Sequence, residues 1–338
     1  YISYNALPGW VSAGPTRKIL YEFAKRTGGR SDQRFRAAID FLDRLKQTGA
    51  LFFKIHSSES ARIERLKKQD INYLPHEYLH DHWFLHYHID VANDLSAAKC
   101  DYLGSATLTD NIHPALPEPS RQILASITDI GFRETIRDIM INQTFRRDVY
   151  VKGRNLMLPQ ERLQAIQKLK VCLTVPKEEV KLEFDLGFAK VIGKEELYRP
   201  IINALATSPM TIGELNALPE LKQSPVGSIL ETCLILMHSG QAHPMPDEAK
   251  GKPQETARRF NQAVLKRAVL GGSSSGILAS PVIGSGVNLN AVEMIAAHFF
   301  VKQPTIQFNI LVNEVWRIME SQGRKFIKEG KTLETLEE

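Results

Sequence analysis

Apolar residues recur at three- and four-residue spacing along most of the chain, while runs that alternate apolar and polar residues are short and far apart. Phe35, Ala38, Ile39, Leu42 and Leu45 set the pattern, and Ile19, Leu20 and Phe23 repeat it. That spacing lines one face of a helix. The strand-like runs cover residues 1–5, 100–106, 148–151, 171–175 and 180–184. Such a chain folds as a mixed α/β protein, mostly helical. Its 338 residues suffice for about two domains. With 43% hydrophobic and 24% charged residues, a disordered or collagen-like chain is excluded.

Pro114, Pro117 and Pro119 fall within six residues and mark a connector. The expected domains are residues 1–112, 113–188 and 189–330. In the last, helices are expected over 197–206, 211–218 and 225–237, the second starting at a Thr cap, with a short strand over 240–244. This is a winged-helix outline. Its third helix would be the one to read DNA. It carries Val226, Ile229, Leu230, Cys233, Leu234, Ile235, Leu236 and Met237, no Lys or Arg, and an acidic Glu231. Phosphate contact needs positive charge, so this helix is expected to pack or dock, with Leu234 in its apolar stripe, and nucleic acid is not an expected partner. A charge at Leu234 is expected to unfold the protein. The net charge of +5 is spread thinly and marks no nucleic-acid tail.

His76-Glu77-Tyr78-Leu79-His80 matches the HExxH pattern of zinc hydrolases. His86 even stands ten residues after His76. A third zinc ligand reaches the metal only if the helix breaks, and the break position holds Trp83. In a helix running from Pro75 to about Ala98, His86 would lie ~15 Å along the axis from His76. The histidines are therefore expected to be structural, with no metal. Residues 58–70 suggest a charged surface helix. Glycine-rich stretches at 271–276 and 284–286 lack a strand–turn–helix context and suggest connectors. Three isolated cysteines fit a reducing, cytoplasmic compartment. No apolar run approaches the ~18 residues of a membrane span.

The chain opens in a strand pattern that ends in Tyr4 and Asn5, followed by a Pro8-Gly9 turn and Trp10. A strand's carboxyl end is where open α/β sheets bind ligands. Residues 1–10 resemble a stretch of bacterial S-adenosylmethionine-dependent methyltransferases that carry a methyltransferase regulatory domain. There it forms the fifth strand of a Rossmann-like sheet and its exit. Pro15-Thr16-Arg17 resembles the helix start that follows. Tyr73-Leu74-Pro75-His76-Glu77-Tyr78-Leu79 resembles the regulatory domain's His-Glu-Tyr-Leu segment, where the family commonly has Glu at the position of His80. Tyr102-Leu103-Gly104-Ser105-Ala106 and Asn142-Gln143-Thr144-Phe145-Arg146 resemble two further blocks. The layout is similar to that of bacterial outer-membrane-protein lysine methyltransferases.

The resemblance implies the end of a Rossmann-like methyltransferase sheet, a helical/β middle domain and a winged-helix-like C-terminal domain. It implies a regulatory and substrate-recognition part of a class I methyltransferase acting on protein lysine. The family's glycine-rich cofactor turn has no counterpart here. S-adenosylmethionine is thus expected for a longer parent protein and not for this chain alone, which looks like the downstream part. Tyr4, Asn5 and Trp10 are the expected substrate-pocket residues, and His76, Glu77 and Tyr78 the expected regulatory ones. No catalytic residue is assigned. Expected partners are an upstream methyltransferase domain, a protein substrate and a second copy of the chain. The alternatives are a non-catalytic module docking on a separate methyltransferase, and a zinc hydrolase working through His76, Glu77 and His80.

Overall fold

The computed structural model describes residues 1–112, 115–246, 253–272, 276–328, 331–333 and 335–336. Pro114 of the proline connector and residues 273–275 of the glycine-rich stretch lie outside these. The chain forms two units, one made of Tyr1–Pro159 and Lys181–Gly193, the other of Gln160–Val180 and Lys194–Glu338.

The first unit runs β1 (Ile2–Asn5), α1 (Ala13–Arg26), α2 (Ser31–Gln47), α3 (Leu51–Ile55), α4 (Ser57–Leu66), α5 (Leu74–Tyr78), α6 (His88–Ala97), β2 (Cys100–Ser105), α7 (Glu118–Ala125), α8 (Ile130–Ile141) and β3 (Phe145–Lys152). β3 lies between β1 and β2 and is antiparallel to both. A division at residue 112 would split this sheet, and so the unit continues past it.

The helical spacing of Phe35, Ala38, Ile39 and Leu42 is the buried face of α2. It packs with Leu20 and Ala24 of α1, Ile63 and Leu66 of α4, and Leu74 and Tyr78 of α5. Each leucine, isoleucine and phenylalanine among them contributes about 1.5–3 kcal/mol when fully buried. The helix expected over 58–70 is therefore shorter and less exposed: α4 ends at Leu66 and buries Glu59, Ile63 and Leu66. The helix expected from Pro75 to Ala98 is also broken. α5 stops at Tyr78, and α6 starts only at His88. Between them the backbone bonds elsewhere: His86 N donates to Asn5 O, and Leu7 N donates to His86 O. These tertiary bonds replace the helical ones.

Gly9 allows a further close approach. A Cβ there would lie 2.5 Å from Gln143 O, and the Gly9 N–H donates to that oxygen at 2.9 Å. A side chain would push the Pro8-Gly9 turn off the start of β3.

The chain continues through α9 (Pro159–Lys168) and β4 (Lys170–Leu173), then through a hairpin, β5 (Glu183–Asp185) and β6 (Lys190–Ile192), that belongs to the first unit. Its turn residue Phe188 sits 5.7 Å from the buried Arg137 guanidinium of α8. The expected boundary near 188 thus falls inside a hairpin.

The second unit resumes with α10 (Glu195–Thr207), β7 (Met210–Thr211), α11 (Ile212–Asn216), α12 (Val226–His238) and β8 (Ala242–Met245). Thr211 caps α11 as expected: its hydroxyl accepts the Glu214 N–H, and Glu214 accepts the Thr211 N–H. β8 pairs with β4, which lies between β7 and β8. On α12 the buried residues are Ile229, Thr232, Cys233 and Leu236, whereas Leu234 is only half-buried. Burial pushes the Cys233 thiol up to about 12, so it stays protonated.

The unit ends with α13 (Pro253–Val269), β9 (Ile277–Ser280), β10 (Ser285–Asn288), α14 (Ala291–Lys302), α15 (Phe308–Ser321), β11 (Phe326–Lys328) and β12 (Lys331–Leu333). The loop expected at 284–286 is instead part of the β9–β10 hairpin, since Gly286 pairs with Ala279. No helix among the described residues is long and apolar enough to cross a membrane.

Candidate functional site

Side chains two apart share one face of a strand, so Arg146, Asp148 and Tyr150 of β3 point the same way. They meet Tyr4 of β1, Tyr102 of β2, His88 of α6, and Glu134 and Asp138 of α8. Arg146 is fully buried. Its Nε donates to both Asp148 oxygens at 3.0 and 3.1 Å, and its Nη1 donates to Asp138 Oδ1 at 2.6 Å. Its Nη2 reaches the Tyr102 hydroxyl at 3.0 Å and Glu134 Oε2 at 3.2 Å. Asp148 Oδ2 also accepts the Tyr4 hydroxyl at 2.7 Å and lies 3.1 Å from His88 Nδ1.

The charges set the protonation of this cluster. Burial favours neutral Asp148, but His88, Arg146 and Tyr4 outweigh it and hold the carboxyl below the usual range. Burial, with Asp148 beside it, drives the Tyr4 hydroxyl far above its ordinary value. Tyr4 therefore stays protonated as a donor and does not act as a base. Burial also pushes Asp138 up to about 7, against the pull of Arg146.

A pH prediction follows from Asp138. The unfolded chain releases that proton near 4, at the ordinary value of ~3.9. Between there and about 7 the folded chain holds more protons, so this group's contribution to stability falls as pH rises. Asp138→Asn is expected to flatten that part of the stability curve, as checked by urea midpoints across the range. An unchanged slope would contradict it.

A second feature of the first unit is a cleft of about 290 Å³. Trp10, Leu66, Leu74 and Tyr78 form its apolar part, and Arg62, Arg65, Tyr73, Glu77 and Thr144 its polar part. The α4 residues come from one helix face. Arg62 lies over the Trp10 ring, 4.5 Å from its centroid, with Nε 3.1 Å from Glu59 Oε1. Glu59 is fully buried and also accepts Ser12 Oγ at 2.9 Å and Thr16 Oγ1 at 2.7 Å. A buried carboxylate with three donors is well satisfied, and it fixes Arg62. Tyr73, 57% exposed, donates to Glu77 Oε2 at 3.0 Å. The Trp10 ring meets Trp83 edge-on at 5.6 Å.

The structure thus brings Trp10, Glu77 and Tyr78 together in one cleft. Tyr4 lies instead in the buried cluster, because the β1 alternation turns it toward β3. Asn5 is half-buried opposite Phe145. His76 is exposed and outside the cleft lining. α5 has only five residues, so His80 lies past its end and its carbonyl accepts from Arg17. The HExxH pattern thus has no helix to put both imidazoles on one face. Among the described residues no group of three or more His, Cys, Asp or Glu could hold a metal ion.

Residues 70–152 match the family described as a predicted methyltransferase regulatory domain. An uncharacterized protein of Synechocystis is 36% identical over 99% of this chain, and the chain spans 65% of that protein. An uncharacterized protein of Rickettsia prowazekii is 24% identical over 56% of this chain, which covers 34% of it. The chain resembles S-adenosylmethionine-dependent methyltransferases that carry a regulatory domain. Among solved structures, PKMT2 from Rickettsia typhi in complex with AdoHcy has the same fold over 97% of this chain and 68% of its own, with a TM-score of 0.60 at 15% identity. A second PKMT2 structure gives a TM-score of 0.56 at 14% identity, over 98% of this chain and 68% of its own. The regulatory match covers α5, the blocks at 102–106 and 142–146, and the Arg146 cluster except Tyr4.

Sequence reasoning missed Arg62, Arg65, Tyr73 and Thr144. Arg62, Arg65, Leu66 and Gln69 stand at helical spacing, a signal that was present. A charged helix face usually meets water, however, and only the burial of Glu59 marks this one as built.

Proposed function

We propose that this chain is the regulatory and substrate-recognition part of a class I S-adenosylmethionine-dependent methyltransferase acting on protein lysine. The regulatory-domain match over residues 70–152 carries this reading. The AdoHcy bound to PKMT2 from Rickettsia typhi supports the cofactor. Methyl transfer from a sulfonium to a lysine amine would need the amine to lose its proton to solvent or a base and to be aligned, and alignment is what a recognition part supplies. The Trp10 cleft supplies recognition.

The residues present do not fit the cofactor by themselves. A nucleoside-binding turn needs glycine between a strand and a helix N-terminus. Here Gly271 and Gly272 follow α13, and Gly284 and Gly286 belong to the β9–β10 hairpin; Gly9 and Gly193 do stand between a strand and a helix, but each is a single glycine, and Gly9 is packed on Gln143 O. No step of the transfer is therefore assigned to this chain's side chains.

β1 supports an upstream partner. It ends its sheet, and beyond the His86 bridge at Ala6 its outer edge has no strand among the described residues. An open strand edge takes another strand, which a methyltransferase sheet would provide. α10, α11 and α12 with β7 and β8 support a winged-helix-like unit that packs or docks. The free cysteines support a cytoplasmic setting.

Calorimetric titration of this chain with S-adenosylmethionine tests the assignment. The expected result is no binding tighter than ~10 μM, about −7 kcal/mol. A tighter saturable site would contradict it.

A further inference from the structure

We propose that the Trp10 cleft binds an acidic peptide segment of the methyl acceptor, with a carboxylate on Arg65 and an apolar residue on the exposed Tyr73 ring. This rests on the recognition role proposed above. Two guanidinium groups, Arg62 and Arg65, line the cleft against one carboxylate, Glu77.

Arg62 is committed to Glu59 and to the Trp10 face. The Arg65 side chain has no hydrogen-bond or ion-pair partner among the described residues, so its planar fork is available for a bidentate carboxylate. Glu77 is engaged by Tyr73, which reduces its call on Arg65.

A cationic ligand fits poorly. Aromatic faces attract cations, but Arg62 already occupies the face of Trp10. A second cation there would meet two like charges. Leu66 and Leu74 are buried beneath the cleft, and the Tyr73 ring, 57% exposed in its lining, takes a hydrophobic side chain beside the carboxylate. That combination is the chemistry of an acidic peptide carrying a bulky apolar residue.

The test uses a fluorescently labelled short peptide with Asp and Glu flanking one Phe, and its Asn and Gln analogue, titrated against this chain at low salt by anisotropy. The acidic peptide is expected to bind at least tenfold more tightly than its analogue. Arg65→Glu, at an exposed position, is expected to lose at least tenfold in affinity, and Arg65→Lys to fall between. Equal binding of the two peptides, or no change in Arg65→Glu, would overturn the proposal. Displacement by inorganic phosphate at the peptide's own concentration would overturn it too, as the mark of a general anion site. None of these arms involves methyl transfer. Their failure leaves the methyltransferase reading standing, and absence of methyl transfer leaves peptide binding standing while removing the acceptor as its source.

Discussion

Arg146→Met is expected to unfold the first unit. The guanidinium is hydrogen-bonded to Asp148, Asp138 and Glu134 together, and Arg146 and Asp138 are fully buried. Removing it leaves carboxyls facing one another inside the protein. Breaking a buried ion pair from one side costs about 3–5 kcal/mol. Domains have about 5–15 kcal/mol in total. Burial opposes the charge on Arg146, but Asp138 and Asp148 reverse that and raise its proton affinity above the ordinary value. Neutralising the partners together, as in Arg146→Met with Asp148→Asn, is expected to recover part of the loss, because apolar or neutral replacements of a whole network are often tolerated. Urea unfolding followed by near-ultraviolet circular dichroism reads both variants. An unchanged midpoint for Arg146→Met would show that the cluster is not what holds β3 to α8.

Leu236→Asp is expected to have a comparable effect on the second unit. Leu236 is fully buried on α12, beside Ile229, Thr232 and Cys233. A carboxylate there loses its hydration and leaves a void where the leucine packed. Effects beyond about 4–5 kcal/mol arise from such unpaired buried charges. The expected outcome is aggregated or unfolded protein in a solubility and circular-dichroism assay. Leu234→Asp, at a half-buried position, is expected to fold with a lowered melting temperature. Equal behaviour of the two would contradict the assigned face.

That one-residue shift of face shows where the sequence stopped being informative. Nearly every residue of α12 is apolar, so periodicity gives a helix without giving its buried line. In α2 the polar residues between Phe35, Ala38, Ile39 and Leu42 mark the line, and there sequence and structure agree. Local signals also worked at Thr211, whose cap needs only Glu214. Non-local ones failed. Nothing near residue 145 says that β3 inserts between β1 and β2, and nothing near 183 says that β5 and β6 return to the first unit. Helix propensity past Tyr78 is local, while the bonds of Arg17 to the Tyr78 and His80 carbonyls, and of His86 to Asn5 and Leu7, are not. Family resemblance singles out Trp10, Glu77 and Tyr78, which line one cleft. Arg62 and Arg65 needed the structure, since a guanidinium on a helix face is ordinary until a buried carboxylate is seen to hold it.

The most direct test of the proposed methyltransferase role is a methyl-transfer assay on this chain alone and joined to a class I methyltransferase domain that carries the glycine-rich cofactor turn. It uses isotopically labelled S-adenosylmethionine, protein acceptors, and amino-acid analysis of the labelled product. The account predicts label on N-methyllysine with the joined protein and none with residues 1–338 alone. Label on a residue other than lysine, or turnover by this chain without a partner, would contradict it.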